Sequence, residues 1–268
     1  MRPYKYFKTI AKMRLTGKYI KCIVAFLFVT LLTNLLTILP GKINLDMYQY
    51  LIFSIPSYLI LIPCFRMGAI GIVFNSLENK DAPFGNLFDG FKYIFKLIPI
   101  FITKLISFVP LFITGVFFYK FASDDLIKGI IEYTSHPDQN TLDSLSLILE
   151  NNSLFITMVE MFFVLSMVIS IIVSCYIALS EYILYNENTS GIKAVIKSIK
   201  LMRGHILYYI GFNLSFILWH IAASFTYGLS TLILNPYKEA AFIIFYNYLR
   251  FAEGEDISTV SDEPIKEE

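Results

Sequence analysis

The feature that most constrains this chain is a succession of apolar stretches, several of them about 20 residues long, the length an α-helix needs to cross a bilayer. They run over 22–39, 47–74, 97–119, 154–185 and 206–234, with a shorter one at 236–251. In hydrocarbon every backbone polar group must be bonded within its own segment or in a closed barrel, and long runs without alternation select the helix. The fold class expected is therefore all-α: a polytopic membrane helix bundle of about six membrane-embedded helices. Composition agrees. The apolar fraction is 56% and the charged fraction 16%, against about 45–50% and 25% in soluble domains. A net charge of +1 offers no basic face for a nucleic acid, so none is expected as a partner. Pro56, Pro63, Pro99 and Pro110 fall inside apolar runs and read as kinks, since membrane helices tolerate proline. Asn235-Pro236 reads as a turn between the fifth and sixth runs.

Charge divides the chain into three parts. Residues 1–21 carry Arg2, Lys5, Lys8, Lys12, Arg14, Lys18 and Lys21 with no acid, a basic N-terminal segment. Residues 22–251 form the membrane domain, and 252–268 an acidic tail expected to be disordered. Lys80, Lys92 and Lys96, and then Lys193, Lys197, Lys200 and Arg203, fall on the same side as the N-terminus in a six-span chain. The excess of cations makes that side cytoplasmic and places both ends there. The opposite loop, 120–153, is acidic.

Two cytoplasmic segments are amphipathic and read as surface helices. Phe84, Leu87, Phe88 and Phe91 recur at helical spacing, as do Ile192, Val195, Ile196 and Ile199. Lys193, Lys197, Lys200 and Arg203 take the other face of the second, a pattern suited to anionic headgroups. A shift of 108 residues superposes the two segments. It also lays Lys92 on Lys200 and Ser107-Phe108 on Ser215-Phe216. This marks a parallel internal repeat, about 48–119 and 154–234.

Ionisable groups inside a span are costly and face protein or water. Arg66, Lys104, Glu181 and Asn213 come from four spans and lie at similar depth, which suggests a polar cavity in which Glu181 pairs with Arg66 or Lys104. Glu160, His220, Lys238 and Glu239 are assigned to the outer side, with Glu160 and Lys238 as a possible pair. Ser166, Ser170, Ser174 and Ala178 form a small-residue stripe for helix packing. Gly68, Gly71, Ser224 and Gly228 are its candidate receivers, and the fourth span is expected at the centre of the bundle. Cys22, Cys64 and Cys175 are far apart in apolar runs and read as small buried hydrophobes.

No H-E-x-x-H, G-x-S-x-G, Walker or G-x-G-x-x-G pattern occurs, so neither a cofactor nor a metal site is expected. The C-terminal third carries Ala178-Leu179-Ser180-Glu181-Tyr182, Ser198-Ile199-Lys200-Leu201-Met202-Arg203-Gly204-His205, Leu214-Ser215-Phe216-Ile217-Leu218-Trp219, Asn235-Pro236-Tyr237 and Phe245-Tyr246. In these phrases the chain resembles the bacterial integral membrane family called domain of unknown function 975, most closely over 175–250. That family is similar to the membrane domain of some glycerophosphodiester phosphodiesterases. The resemblance implies the bacterial cytoplasmic membrane and carries no activity. The leading expectation is a non-enzymatic protein that binds, senses or transports a lipid or amphiphile, with membrane lipids as its partners. A scaffold or accessory subunit with a membrane-protein partner is the alternative. A lipid-modifying enzyme using Glu160, Glu181 or His220 comes third.

Overall fold

In the computed structural model, residues 1–43, 46–226 and 228–252 are described. The acidic tail, from residue 253, lies outside them. The described residues form helices and no strand. They divide into two compact units, 1–101 with those from 176 to 252, and 102–175.

The first unit opens with α1 (Tyr4–Leu15) and α2 (Tyr19–Lys42). Within the basic N-terminal segment, α1 is an integral part of this unit. Phe7, Ile10, Ala11 and Leu15 form a stripe at helical spacing and are buried, while Lys5 and Lys12 stay exposed. α3 (Met47–Pro56) passes through a π-turn at Ser57–Leu61 into α4 (Ile62–Leu77). Pro56 and Pro63 bracket that π-turn. Two missing backbone donors in one run are a known cause of such a break.

α4 is the inner helix. Twelve of its sixteen residues, including Cys64, Gly68 and Gly71, are buried. Against it lies Phe84–Tyr93, which winds as a 3-10 helix rather than the α-helix expected from its spacing. A three-residue period puts Leu87 and Gly90 on one ridge, and these are its buried residues. The backbones approach so closely that a Cβ on Gly68 would lie 1.9 Å from the Leu87 carbonyl oxygen. One on Gly90 would lie 1.8 Å from that of Cys64.

After α5 (Ile94–Ile106) the first unit resumes with α10 (Ser180–Glu187), α11 (Gly191–Met202), α12 (Ile206–Leu214), α13 (Ile217–Phe225) and α14 (Leu229–Ala252). α14 corrects the reading of its region. Asn235-Pro236 is no turn: Pro236 is buried inside the helix. The turn comes earlier, where Gly228 adopts φ +83° and its N–H bonds the Ala223 carbonyl at 2.8 Å. α14 packs on α1, α2, α4 and α13, and burial of Phe242, Ile243 and Phe245 makes it a second inner helix.

The second unit holds the end of α5, then α6 (Val109–Phe121), α7 (Asp124–Ser135), α8 (Gln139–Asn151) and α9 (Ser153–Tyr176). The acidic loop is thus a helical hairpin. Ser123 caps α7 by accepting from the Leu126 N–H, and Asp138 caps α8 with a capping box to Thr141. Along α9, Met161, Phe162, Phe163, Val164 and Leu165 are all exposed.

Among the described residues, four helical runs are long and apolar enough to cross a membrane: Tyr19–Pro40, Tyr48–Leu77, Ser153–Glu187 and Ile206–Phe225. The bent pair Phe84–Ile106 and Val109–Phe121 adds a fifth if counted as one. The expected sixth, 236–251, is not among them.

The two Ser-Phe pairs superposed by the 108-residue shift are both helix joints. Ser107 Oγ donates to the Lys104 carbonyl at 2.6 Å, and Ser215 Oγ to the Phe212 carbonyl at 2.5 Å. At each, the phenylalanine N–H reaches back three residues, to Leu105 and Asn213, at 3.0 Å. A hydroxyl competing for a carbonyl one turn back is a recognised source of helix bending.

Candidate functional site: an ion-pair centre and a three-faced helix

Arg66 sits in the second turn of α4. Its Nε is 3.3 Å from Glu181 Oε2, and Nη2 donates to Glu239 Oε1 at 3.2 Å. The Tyr182 hydroxyl donates to the other oxygen of Glu239 at 2.5 Å. Three helices are joined here: α4, α10 and α14. The carboxylate side chains are only 13% and 14% exposed, whereas that of Arg66 keeps 48%. The centre is therefore two enclosed anions covered by one accessible cation.

Of the four residues expected to share a cavity, Arg66 and Glu181 meet. Asn213 donates its Nδ2 to the Tyr209 carbonyl of its own helix at 3.1 Å. Lys104 belongs to the second unit. Arg66 and Glu181 share a direct network whose third member, Glu239, had been assigned to the opposite side. That assignment followed from ending a helix at Pro236.

Glu181 is presented by a break in the long apolar run after α9. The turn at 177–179 is held by Ser198 of α11. Its Oγ accepts from the Leu179 N–H at 3.1 Å and donates to the Tyr176 carbonyl at 2.7 Å. One buried hydroxyl thus satisfies a donor and an acceptor that the broken helix leaves over. Glu181 follows in the first turn of α10, where the helix dipole favours a carboxylate. Ser198→Ala leaves both groups unsatisfied and is expected to cost roughly 2 kcal/mol. This would appear as a lower midpoint in thermal unfolding, with Ser198→Thr recovering part of it.

α11 presents three faces. Gly191, Ala194, Val195, Ser198, Leu201 and Met202 pack inward. Ile192, Ile196 and Ile199, three of the four residues of the apolar stripe read from the sequence, are exposed at 61%, 59% and 42%. Lys193 and Lys200 are exposed along the third face, with Arg203 exposed just beyond the helix end. Lys197 is turned inward to Glu187 at 2.9 Å. Glu187 Oε1 also accepts from the Tyr246 hydroxyl at 3.1 Å and lies 3.7 Å from Arg250 Nε. Lys197 therefore ties α11 to α10 and α14, and only three of the four expected lipid-facing cations are presented outward.

The small-residue stripe is used within the second unit. Ser166 bonds Thr114 at 2.7 Å and Ser174 bonds Ser107 at 3.2 Å. Ser170 is buried, and Ala178 lies past the end of α9, in the first unit. The receivers named from sequence have other roles. Gly68 meets the 3-10 backbone, Gly71 lies under the Tyr185 ring, Ser224 bonds its own helix at His220, and Gly228 makes the turn. Glu160 lies in the second unit, and Lys238 and His220 in the first. The three cysteines are free and buried, as expected.

All-helical architecture and several helices of membrane-crossing length and hydropathy define a polytopic α-helical membrane protein. The chain belongs to the family described as Protein of unknown function (DUF975), whose model matches residues 1–253. The match extends well beyond the 175–250 region where the resemblance was most legible. Neither curated proteins nor solved structures gave a match, and the likeness to glycerophosphodiester phosphodiesterases has no match behind it.

Proposed function

We propose that this is a non-enzymatic protein of the bacterial cytoplasmic membrane, with both ends in the cytoplasm, that engages anionic lipid or a related amphiphile. The observation that carries this reading is the three-faced α11. Its small face is occupied by protein, its isoleucines are presented outward, and Lys193, Lys200 and Arg203 lie beside them. That order of faces suits a helix lying at the boundary of hydrocarbon and headgroups, where each cation near an anionic surface is worth about 1 kcal/mol. The ion-pair centre supports a non-enzymatic role, since both carboxylates are engaged by Arg66 and one also by Tyr182.

The test is native mass spectrometry of the full chain released from mixed phosphatidylglycerol and phosphatidylcholine membranes. Lys193→Gln/Lys200→Gln/Arg203→Gln should lower retained phosphatidylglycerol several-fold, while Lys197→Gln lowers stability instead. Unchanged lipid retention in the triple variant counts against the reading.

A scaffold role is favoured by the exposed apolar length of α9. It predicts that removing 124–151 releases a co-purifying membrane protein; full retention of that partner disposes of it.

A further inference from the structure

A groove of about 460 Å³ lies within the first unit, and none of its lining residues belongs to α11 or to the ion-pair centre. Its walls come from α1, α2, α13 and α14 and include Lys12, Thr16, Tyr19, Trp219, Ile233 and Tyr237. The volume is within the range of small-molecule clefts, about 300–1,000 Å³.

The polar tips of its lining are largely spent on backbone. The Tyr19 hydroxyl donates to the Ile233 carbonyl. The Tyr237 hydroxyl donates to the Lys8 carbonyl at 3.3 Å, and the Thr16 hydroxyl to that of Lys12 at 3.0 Å. Aromatic rings and aliphatic groups therefore dominate the walls. The lining residues include no acid, and their one charged group is the exposed Lys12. A ligand that satisfies this surface is apolar along most of its length and ends in an anion.

Tyr19 is the first residue of a membrane-length helix, and Lys12 lies in the last turn of α1, just across the turn at 16–18 that joins the two helices. Tyrosine and tryptophan gather at the membrane–water boundary, the level at which phosphates lie. The geometry points to a site for an anionic membrane phospholipid, with an acyl chain along Trp219 and Ile233 and the phosphate on Lys12. This rests on the lipid-engaging reading above but uses none of the α11 residues.

Trp219 is the only tryptophan in the chain, so the groove carries its own fluorophore. The full chain in phosphatidylcholine nanodiscs would be titrated with phosphatidylglycerol brominated on its acyl chains, and separately with brominated phosphatidylcholine. A charge-assisted contact at Lys12 predicts that the brominated phosphatidylglycerol quenches Trp219 at about tenfold lower mole fraction. Lys12→Gln should bring the two curves together. Thr16→Phe, which adds bulk to the lining and keeps the Lys12 ammonium, should reduce the saturable quenching by either lipid. Equal quenching by both lipids in the wild type overturns the site, as does a preference that survives Lys12→Gln. Quenching by brominated palmitate but not by brominated phosphatidylglycerol also overturns the assignment to phospholipid. The triple variant of α11 should leave the preference at Trp219 intact. If that variant loses bulk phosphatidylglycerol while Lys12→Gln changes nothing, the groove is wrong and the reading based on α11 stands.

Discussion

Arg66→Ala is expected to be among the most damaging single changes outside the close-packed glycines. It removes the cation from two carboxylates that remain enclosed. Breaking a buried ion pair by deleting one partner costs about 3–5 kcal/mol. Allowing for the half-exposed guanidinium brings this to about 2–3 kcal/mol. In a domain of roughly this size, that lowers a thermal midpoint by about 5–10 °C. The decisive comparison is with Arg66→Met/Glu181→Gln/Glu239→Gln, which removes the cation and both of its carboxylates together. Neutralising the whole set together should recover most of the loss, since members of one network do not act additively. The scanning measurement is the unfolding midpoint of detergent-solubilised protein followed by size exclusion. A triple variant as unstable as Arg66→Ala would show that the arginine acts through packing of its stem rather than through its charge.

Gly90→Ala is expected to cost more still. At Gly90 and Gly68 the obstacle is carbonyl backbone on the opposing element, within 2 Å of the added carbon. No side chain can swing aside, so the 3-10 segment must lift away from α4. Overpacking usually costs about 1–3 kcal/mol, and a backbone clash belongs at or beyond the top of that range. Gly85 lies in the same segment, and a Cβ there would meet nothing within 4 Å. Gly85→Ala should stay within about 0.5 kcal/mol of the wild type. Equal loss in Gly85→Ala and Gly90→Ala would remove close approach as the cause.

Much of this architecture could be read from the amino acids because hydrocarbon imposes a length. A run such as 22–39 has few solutions other than a helix, and the structure places Tyr19–Pro40 there. The Arg66–Glu181 pair was legible for a related reason: opposite charges in apolar runs are costly until they meet. Glu239 escaped because Pro236 was read as a stop, the rule of a helix in water. Here burial against α1, α2 and α4 holds the helix together across the missing donor. The 3-10 winding of Phe84–Tyr93 escaped because spacings of three residues serve both helix types, and ten residues are too few to separate a period of 3.0 from one of 3.6. On α11 the isoleucine stripe was legible from its spacing, whereas the inward face of small residues was not. Gly191, Ala194 and Ser198 face inward because small side chains permit close approach.

The first helix carries a consequence for biosynthesis. Lys8 donates to the Ser215 carbonyl at 2.7 Å, across 207 residues, and its ammonium lies 4.1 Å from the centre of the Phe216 ring. Phe7 packs on Phe245 and Tyr248. These partners are synthesised more than about 200 residues after α1. At about 5–20 residues per second, α1 waits roughly 10–40 s for them. During that interval Phe7, Ile10, Ala11 and Leu15 have no protein to cover them, while Lys5, Lys12 and Arg14 accompany them along the same short helix. Such a helix rests on a membrane surface. The same twelve residues thus begin as a float at the bilayer and end as the bolt that closes the finished assembly.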